Sequence, residues 1–145
     1  MSLLDTVDVP SRRIMAASGR AEVVLVVEDE PFIAMDIDEV LRAAGLTVEL
    51  HSSRSDALKW LENRCPATAV LDLHLRDGDG LAIAAVLQSR GIPVIFCSGG
   101  DPSDLPKDFK TAAWVRKPFI DGELVTEVRR AIETCEFQQQ IEQRA

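Results

Sequence analysis

Val23-Val24-Leu25-Val26-Val27-Glu28-Asp29-Glu30-Pro31 is the stretch on which the fold turns. Its unbroken apolar run, Val23 to Val27, is almost entirely β-branched. Such a run fits a strand buried on both faces, not one alternating between core and water. Acidic residues follow without a gap, and Pro31 brings the fixed φ suited to opening a helix. Ile33, Ile37, Val40, Leu41 and Ala44 then recur at helical spacing until Gly45 stops them. Buried strand, polar turn and amphipathic helix together make one βα unit.

Working outward, that unit recurs in kind. Thr47 to Leu50 reads as a short strand, and Ser55 is placed to cap a helix containing Ala57, Leu58 and Leu61. Ala69-Val70-Leu71-Asp72-Leu73 is a third strand and runs into the turn-rich Arg76-Asp77-Gly78-Asp79-Gly80. Leu81 to Ser89 is helical, with Ile83, Val86 and Leu87 on one side. Pro93 to Cys97 is a fourth apolar strand and Ala113 to Val115 a short fifth. The last helix runs from Asp121 to about Phe137, with Leu124, Val125, Val128 and Ile132 facing inward. Strands alternating with helices call for a parallel sheet covered on both faces. Right-handed crossovers wind it into an α/β, doubly wound, flavodoxin-like (βα)5 fold with five parallel strands.

The stretch from Gly99 to Thr111 fits least well. Pro102 and Pro106 forbid a long regular helix there, so the fourth helix is expected to be shortened or irregular, with few packed apolar residues. Residues 1–20 mix Ser, Pro, Gly, Arg and Asp without a period and read as a weakly ordered leader. The domain proper is expected over 21–135, and 136–145 as a tail extending the last helix.

The chain has 145 residues, 46% hydrophobic and 28% charged, which suits one soluble domain with a real core. Its net charge of -8 disfavours non-specific binding to nucleic acid or to an anionic membrane. Cys65, Cys97 and Cys135 are odd in number and lack metal-type spacing, so reduced thiols are expected rather than disulfides or a zinc site. No apolar stretch approaches the ~18 residues of a membrane span, and Asp5, Asp8, Pro10, Arg12 and Arg13 interrupt any signal-peptide core. A cytoplasmic protein is the expectation.

Ligands of open parallel α/β sheets bind beyond the carboxyl ends of the strands. Glu28, Asp29 and Glu30 follow the first strand, Asp72 ends the third, Ser98 follows the fourth and Lys117 the fifth. Carboxylates, a hydroxyl and an ammonium therefore converge on one edge. Two carboxylates ~5 Å apart repel by about 3 kcal/mol at an effective dielectric near ~20, a cost that a hard divalent cation with oxygen ligands removes. Each residue also has a plainer reading. The acidic run can cap the first helix, Asp72 can be a turn residue, Ser98 a loop residue and Lys117 a solvated lysine. It is their joint placement that favours chemistry.

At these positions the chain, over roughly Ala21 to Glu133, resembles the receiver domain of two-component response regulators, the CheY-like family. The resemblance rests on Val-Val-Glu28-Asp29-Glu30-Pro31, Leu71-Asp72-Leu73 with Asp77-Gly78-Asp79-Gly80, Ile95-Phe96-Cys97-Ser98-Gly99, and Val115-Arg116-Lys117-Pro118-Phe119. It implies Asp72 as phosphoacceptor, with Glu28, Asp29, Asp72 and the backbone carbonyl of His74 holding Mg²⁺ or Mn²⁺. It implies Ser98 as switch hydroxyl, the Gly99 backbone and Lys117 as phosphate contacts, and a cis bond before Pro118. Trp114 falls on the position of a rotating aromatic switch, and plain packing is its alternative. The short Ser98–Lys117 interval and the pair Gly99-Gly100 are similar to a single-domain alphaproteobacterial subgroup. The implied activity is a slow self-phosphotransfer and autodephosphorylation rather than enzyme turnover.

Implied partners are a sensor histidine kinase or histidine phosphotransfer protein and an unidentified downstream protein, with no nucleic acid and no membrane. The state is a monomer or a phosphorylation-dependent dimer, signalling by contact or acting as a phosphate sink. Two other readings compete. One is an unphosphorylated receiver-fold binding module. The other is a haloacid-dehalogenase-type phosphohydrolase, which needs an acid where His74 stands.

Overall fold

The computed structural model describes the backbone of residues 23–144 and the side chains of residues 23–134. In it Val23–Val27 is strand β1, and its residues alternate between two cores as the period of a strand requires. Leu25 and Val27 join a cluster with Ala57, Leu61, Ile83, Leu87 and Phe96; Val24 and Val26 join the opposite one with Ile37, Leu41, Leu124 and Val128. That double burial is why the run carries no polar residue.

The remaining elements are α1 (Pro31–Ala43), β2 (Thr47–His51), α2 (Arg54–Leu61), β3 (Thr68–Leu71), α3 (Leu81–Ser89), β4 (Val94–Ser98), β5 (Ala113–Arg116) and α4 (Asp121–Arg144). The five strands form one parallel sheet in the order β2-β1-β3-β4-β5. Helices α2 and α3 cover one face and α1 and α4 the other. This is the doubly wound, flavodoxin-like fold expected from the strand–helix alternation. The leader expected over 1–20 lies outside the described residues.

Helix α1 ends where Gly45 takes φ +88°, so that Leu46 N–H reaches the carbonyl of Leu41 and Gly45 N–H that of Arg42. A residue with a Cβ would be strained there. The cap of α2 is Ser53, not Ser55: Ser53 is extended, and its Oγ accepts from the N–H of Asp56. Ser55 already lies within the first turn.

Two further differences concern loops. The Asp77–Gly80 turn is preceded and framed by a two-residue antiparallel ribbon, His74–Leu75 against Gly78–Asp79. Among the described residues the segment between β4 and β5 contains no α-helix; two 3-10 turns, Pro102–Asp104 and Lys107–Phe109, replace it. Against the expectation of few packed apolar residues here, Leu105 is only 4% exposed and Phe109 stands edge-on to Phe96 at 6.3 Å. Prolines forbid the helix without forbidding apolar anchors.

Candidate functional site

The parallel register sets the site. Val27 pairs with Leu71 and Leu71 with Phe96, so the residues just beyond β1, β3 and β4 emerge at one edge. The ladder continues past the strand ends, with Asp72 N–H donating to Val27 O (3.0 Å), Lys117 N–H to Ser98 O (3.0 Å) and Glu28 N–H to His51 O (3.1 Å). The Lys117–Pro118 peptide bond is cis.

Carboxylate oxygens of Glu28, Asp29 and Asp72 lie within 4.8 Å of one another. Lys117 Nζ stands 2.5 Å from Glu28 Oε1 and 3.1 Å from Asp72 Oδ2. Glu30 does something else: its Oε1 accepts from Phe32 N–H at 2.9 Å and caps α1. The acidic run therefore divides, one residue serving the helix and two turning into the pocket.

The remaining oxygens are held by backbone. Glu28 Oε2 accepts from Glu30 N–H, Asp72 Oδ1 from His74 N–H and Asp29 Oδ2 from Arg76 N–H at 2.7 Å. Glu28 Oε1, in contrast, is buried against the Lys117 ammonium rather than against backbone. Burial pushes the Glu28 carboxyl above its ordinary value. Burial acts to lower Lys117, but its contact with Glu28 and the charge of Asp72 outweigh that and hold the ammonium above its ordinary value. The Lys117 shift thus reflects two carboxylates, Glu28 and Asp72, facing one ammonium, and the Asp29 carboxylate adds a third negative group to the pocket.

A hard divalent cation fits that excess. The donors are all oxygens, and three carboxylates against one ammonium leave a charge of about two units negative. Glu28, Asp29 and Asp72 could hold it.

Ser98 is buried at the end of β4, 1% exposed, and Gly99 is exposed beside it. The His74 side chain is exposed, while its N–H serves Asp72. Trp114 is half-buried against Phe96, its ring 6.3 Å away, and its Nε1 is buried without a hydrogen-bond partner. The structure thus brings Glu28, Asp29, Asp72 and Lys117 together; Ser98 and Gly99 flank them, and Trp114 belongs to the neighbouring core. Sequence reasoning missed two contributors. Arg76 supplies an amide to Asp29, and Gly80 lies so close that a Cβ there would meet the Asp72 carbonyl oxygen at 2.4 Å.

Among the described residues no helix is long and apolar enough to cross a membrane. The family model for the response regulator receiver domain matches residues 24–129. The chain is 32% identical over 120 residues to response regulator protein TodT of Pseudomonas putida, covering 79% of this chain and 53% of the relative. It is 30% identical over 133 residues to the phyllosphere-induced regulator PhyR of Methylorubrum extorquens, covering 88% of this chain and 49% of the relative. It thus spans about half the length of these relatives. A CheY-like receiver domain protein from Methanospirillum hungatei superposes with a TM-score of 0.69 at 21% identity, over 81% of this chain and 98% of that one, which bears on the fold.

Proposed function

Because the chain belongs to the response regulator receiver domain family, we propose that it accepts a phosphoryl group on Asp72 from a histidine kinase or histidine phosphotransfer protein. The observation that carries this reading is the Lys117 ammonium set between Glu28 and Asp72, in a pocket that still holds excess negative charge. As a purely structural feature that arrangement is costly; as a phosphoryl site it is useful.

An Asp72 carboxylate oxygen attacks phosphorus in line. A P–O bond forms as the P–N bond of the donor phosphohistidine breaks, and the departing imidazole nitrogen takes up a proton. Lys117 holds a phosphoryl oxygen as a compact point charge. The Ser98 hydroxyl and the Gly99 N–H are the further donors of this reading. Mg²⁺ or Mn²⁺, held by Glu28, Asp29 and Asp72 with the His74 carbonyl, would neutralise charge on the phosphoryl group. Water later attacks phosphorus and breaks the acyl P–O bond, which restores the Asp72 carboxylate and releases phosphate.

Members of this family are signalling phosphoacceptors rather than turnover enzymes. Phe32 and Met35 on α1 and Ile120, just after Lys117-Pro118-Phe119, are exposed large apolar residues on segments that follow the site-bearing strand ends, which supports a protein partner. Output by protein contact or phosphate sink, a cytoplasmic location and a monomer or phosphorylation-dependent dimer complete the proposal. The phosphohydrolase alternative lacks its acid, since the side chain at His74 is exposed imidazole. Acetyl phosphate with Mg²⁺, read by intact-protein mass, should add one phosphoryl group to wild type and none to Asp72→Asn. An equal adduct on both would move the phosphoacceptor elsewhere.

A further inference from the structure

The ribbon between β3 and α3 is pinned at its tip in two directions by consecutive residues. The Arg76 N–H reaches Asp29 Oδ2 in the acidic pocket at 2.7 Å. The Asp77 carboxylate reaches the other way, Oδ1 accepting from Arg54 N–H at 2.9 Å and Oδ2 from Ser55 N–H at 3.0 Å. These are first-turn amides of α2 that have no partner within the helix. A carboxylate is also the charge favoured at that helix end, and the two amides hold Asp77 below the ordinary carboxylate range. Strands of two residues do not hold themselves together. The position of the Arg76 amide therefore depends on these pins. The far leg of the ribbon presses on the pocket as well, since Gly80 N–H donates to Leu73 O and its Cα leaves no room for a side chain against the Asp72 carbonyl.

We propose that Asp77, although it touches no residue of the acidic pocket, is a positioning residue for the cation site: by closing the N-terminus of α2 it holds the Arg76 N–H on Asp29. The Arg76 side chain is 82% exposed, and its Nε lies 3.9 Å from Asp29, so the contact that orients the carboxylate is the amide. With Oδ2 of Asp29 engaged, Oδ1 is the oxygen left to face a cation. Groups that orient metal ligands from behind affect affinity about 10- to 100-fold in closed sites; for this partly open one, about three- to tenfold is expected.

The inference rests on the metal reading above, and the test separates the two. The full chain is compared with Asp77→Ala, Asp77→Asn and Ser53→Ala, the last removing another cap of the same helix without touching the ribbon. Mg²⁺ affinity is measured by titration calorimetry, and exchange of the Arg76 amide by NMR in EDTA. Asp77→Ala should bind Mg²⁺ about three- to tenfold more weakly and exchange the Arg76 amide faster. Asp77→Asn, whose side chain can still accept an amide, should recover part of both, and Ser53→Ala should lower the melting temperature while leaving both unchanged. Equal Mg²⁺ affinity in wild type and Asp77→Ala overturns the proposal, and so does an equal loss in Ser53→Ala. No Mg²⁺ binding by wild type would overturn the metal reading and with it the purpose of the latch, while the Arg76 exchange rate alone decides whether the latch exists.

Discussion

Lys117 stands closer to Glu28 than to Asp72, with Nζ–oxygen distances of 2.5 and 3.1 Å, and Glu28 is the more deeply buried of the two acids. The ammonium is thus the internal counter-ion of a pocket that otherwise holds only carboxylates. Removing one member of a buried charge cluster is worth roughly 3–5 kcal/mol, and Lys117 belongs near the lower end because 16% of its side chain remains exposed. Lys117→Ala should lose about 3 kcal/mol in EDTA. Mg²⁺ should restore more stability to this variant than it adds to wild type, because more repulsion is left to relieve. Urea unfolding with and without Mg²⁺ measures both; equal Mg²⁺ increments would contradict the shared-pocket account.

In wild type the effect of Mg²⁺ is smaller. If the Mg²⁺ dissociation constant is millimolar, a tenfold excess stabilises the fold by ~1.4 kcal/mol. Asp29→Ala should abolish that response and leave metal-free stability equal or higher, since one of the repelling carboxylates is gone. A wild-type melting temperature indifferent to Mg²⁺ would rule out a metal site here.

How legible was all this in the residues? Buried strands announce themselves: Val23–Val27 and residues 94–97 are apolar runs because both faces are covered, and their ends carry Glu28, Asp29 and Ser98, while Lys117 follows β5. Partners far apart in sequence leave no such trace. Asp29 with Arg76, and Asp77 with Arg54, meet only because the ribbon folds back, and two-residue strands carry no period to read. Ser53 and Ser55 are equally good caps as letters; where the backbone turns from extended to helical decides between them.

The thiols should differ in reactivity. Burial pushes Cys97 up to about 11, so at pH 8 about one thiol in a thousand is thiolate, and that one is shielded. Cys65 is partly exposed. Iodoacetamide at pH 8, followed by peptide mapping, should modify Cys65 well before Cys97, which should react on unfolding in urea. Equal native-state rates would mean that β4 opens readily.

Asp101 predicts an acid limit for the first 3-10 turn. Its carboxylate accepts from the Ser103 N–H, which holds it below its ordinary value of 3.8. A depressed folded value means that the cap's contribution is present above pH 3.8 and is lost as pH falls through the lower folded value. The Ser103 amide should therefore lose protection below that point, and Asp101→Ala should lose it at every pH. Protection that ignores pH down to global unfolding would show that the cap is idle.

The segment between Ser98 and Lys117 should respond to phosphoryl occupancy unevenly. Its ends carry the groups assigned to the phosphate, while its middle is already fastened: Leu105 is buried and Phe109 packs on Phe96. Fastened amides have little protection left to gain, whereas Gly99 to Asp104 sit on an exposed stretch with few apolar contacts, the low-stability end of a domain. Beryllofluoride with Mg²⁺ should slow hydrogen exchange most over Gly99 to Asp104 and least at Leu105 and Phe109. Leu105→Ala removes the central anchor, so its loop should exchange faster at rest and show slowing across the whole segment. Trp114, packed on Phe96 beside these anchors, should change fluorescence with the loop if it moves and stay constant if it only packs; Trp60→Phe isolates its signal. Exchange unchanged between Gly99 and Ala113, with protection gained on α1 instead, would place output on the exposed Phe32–Met35 face.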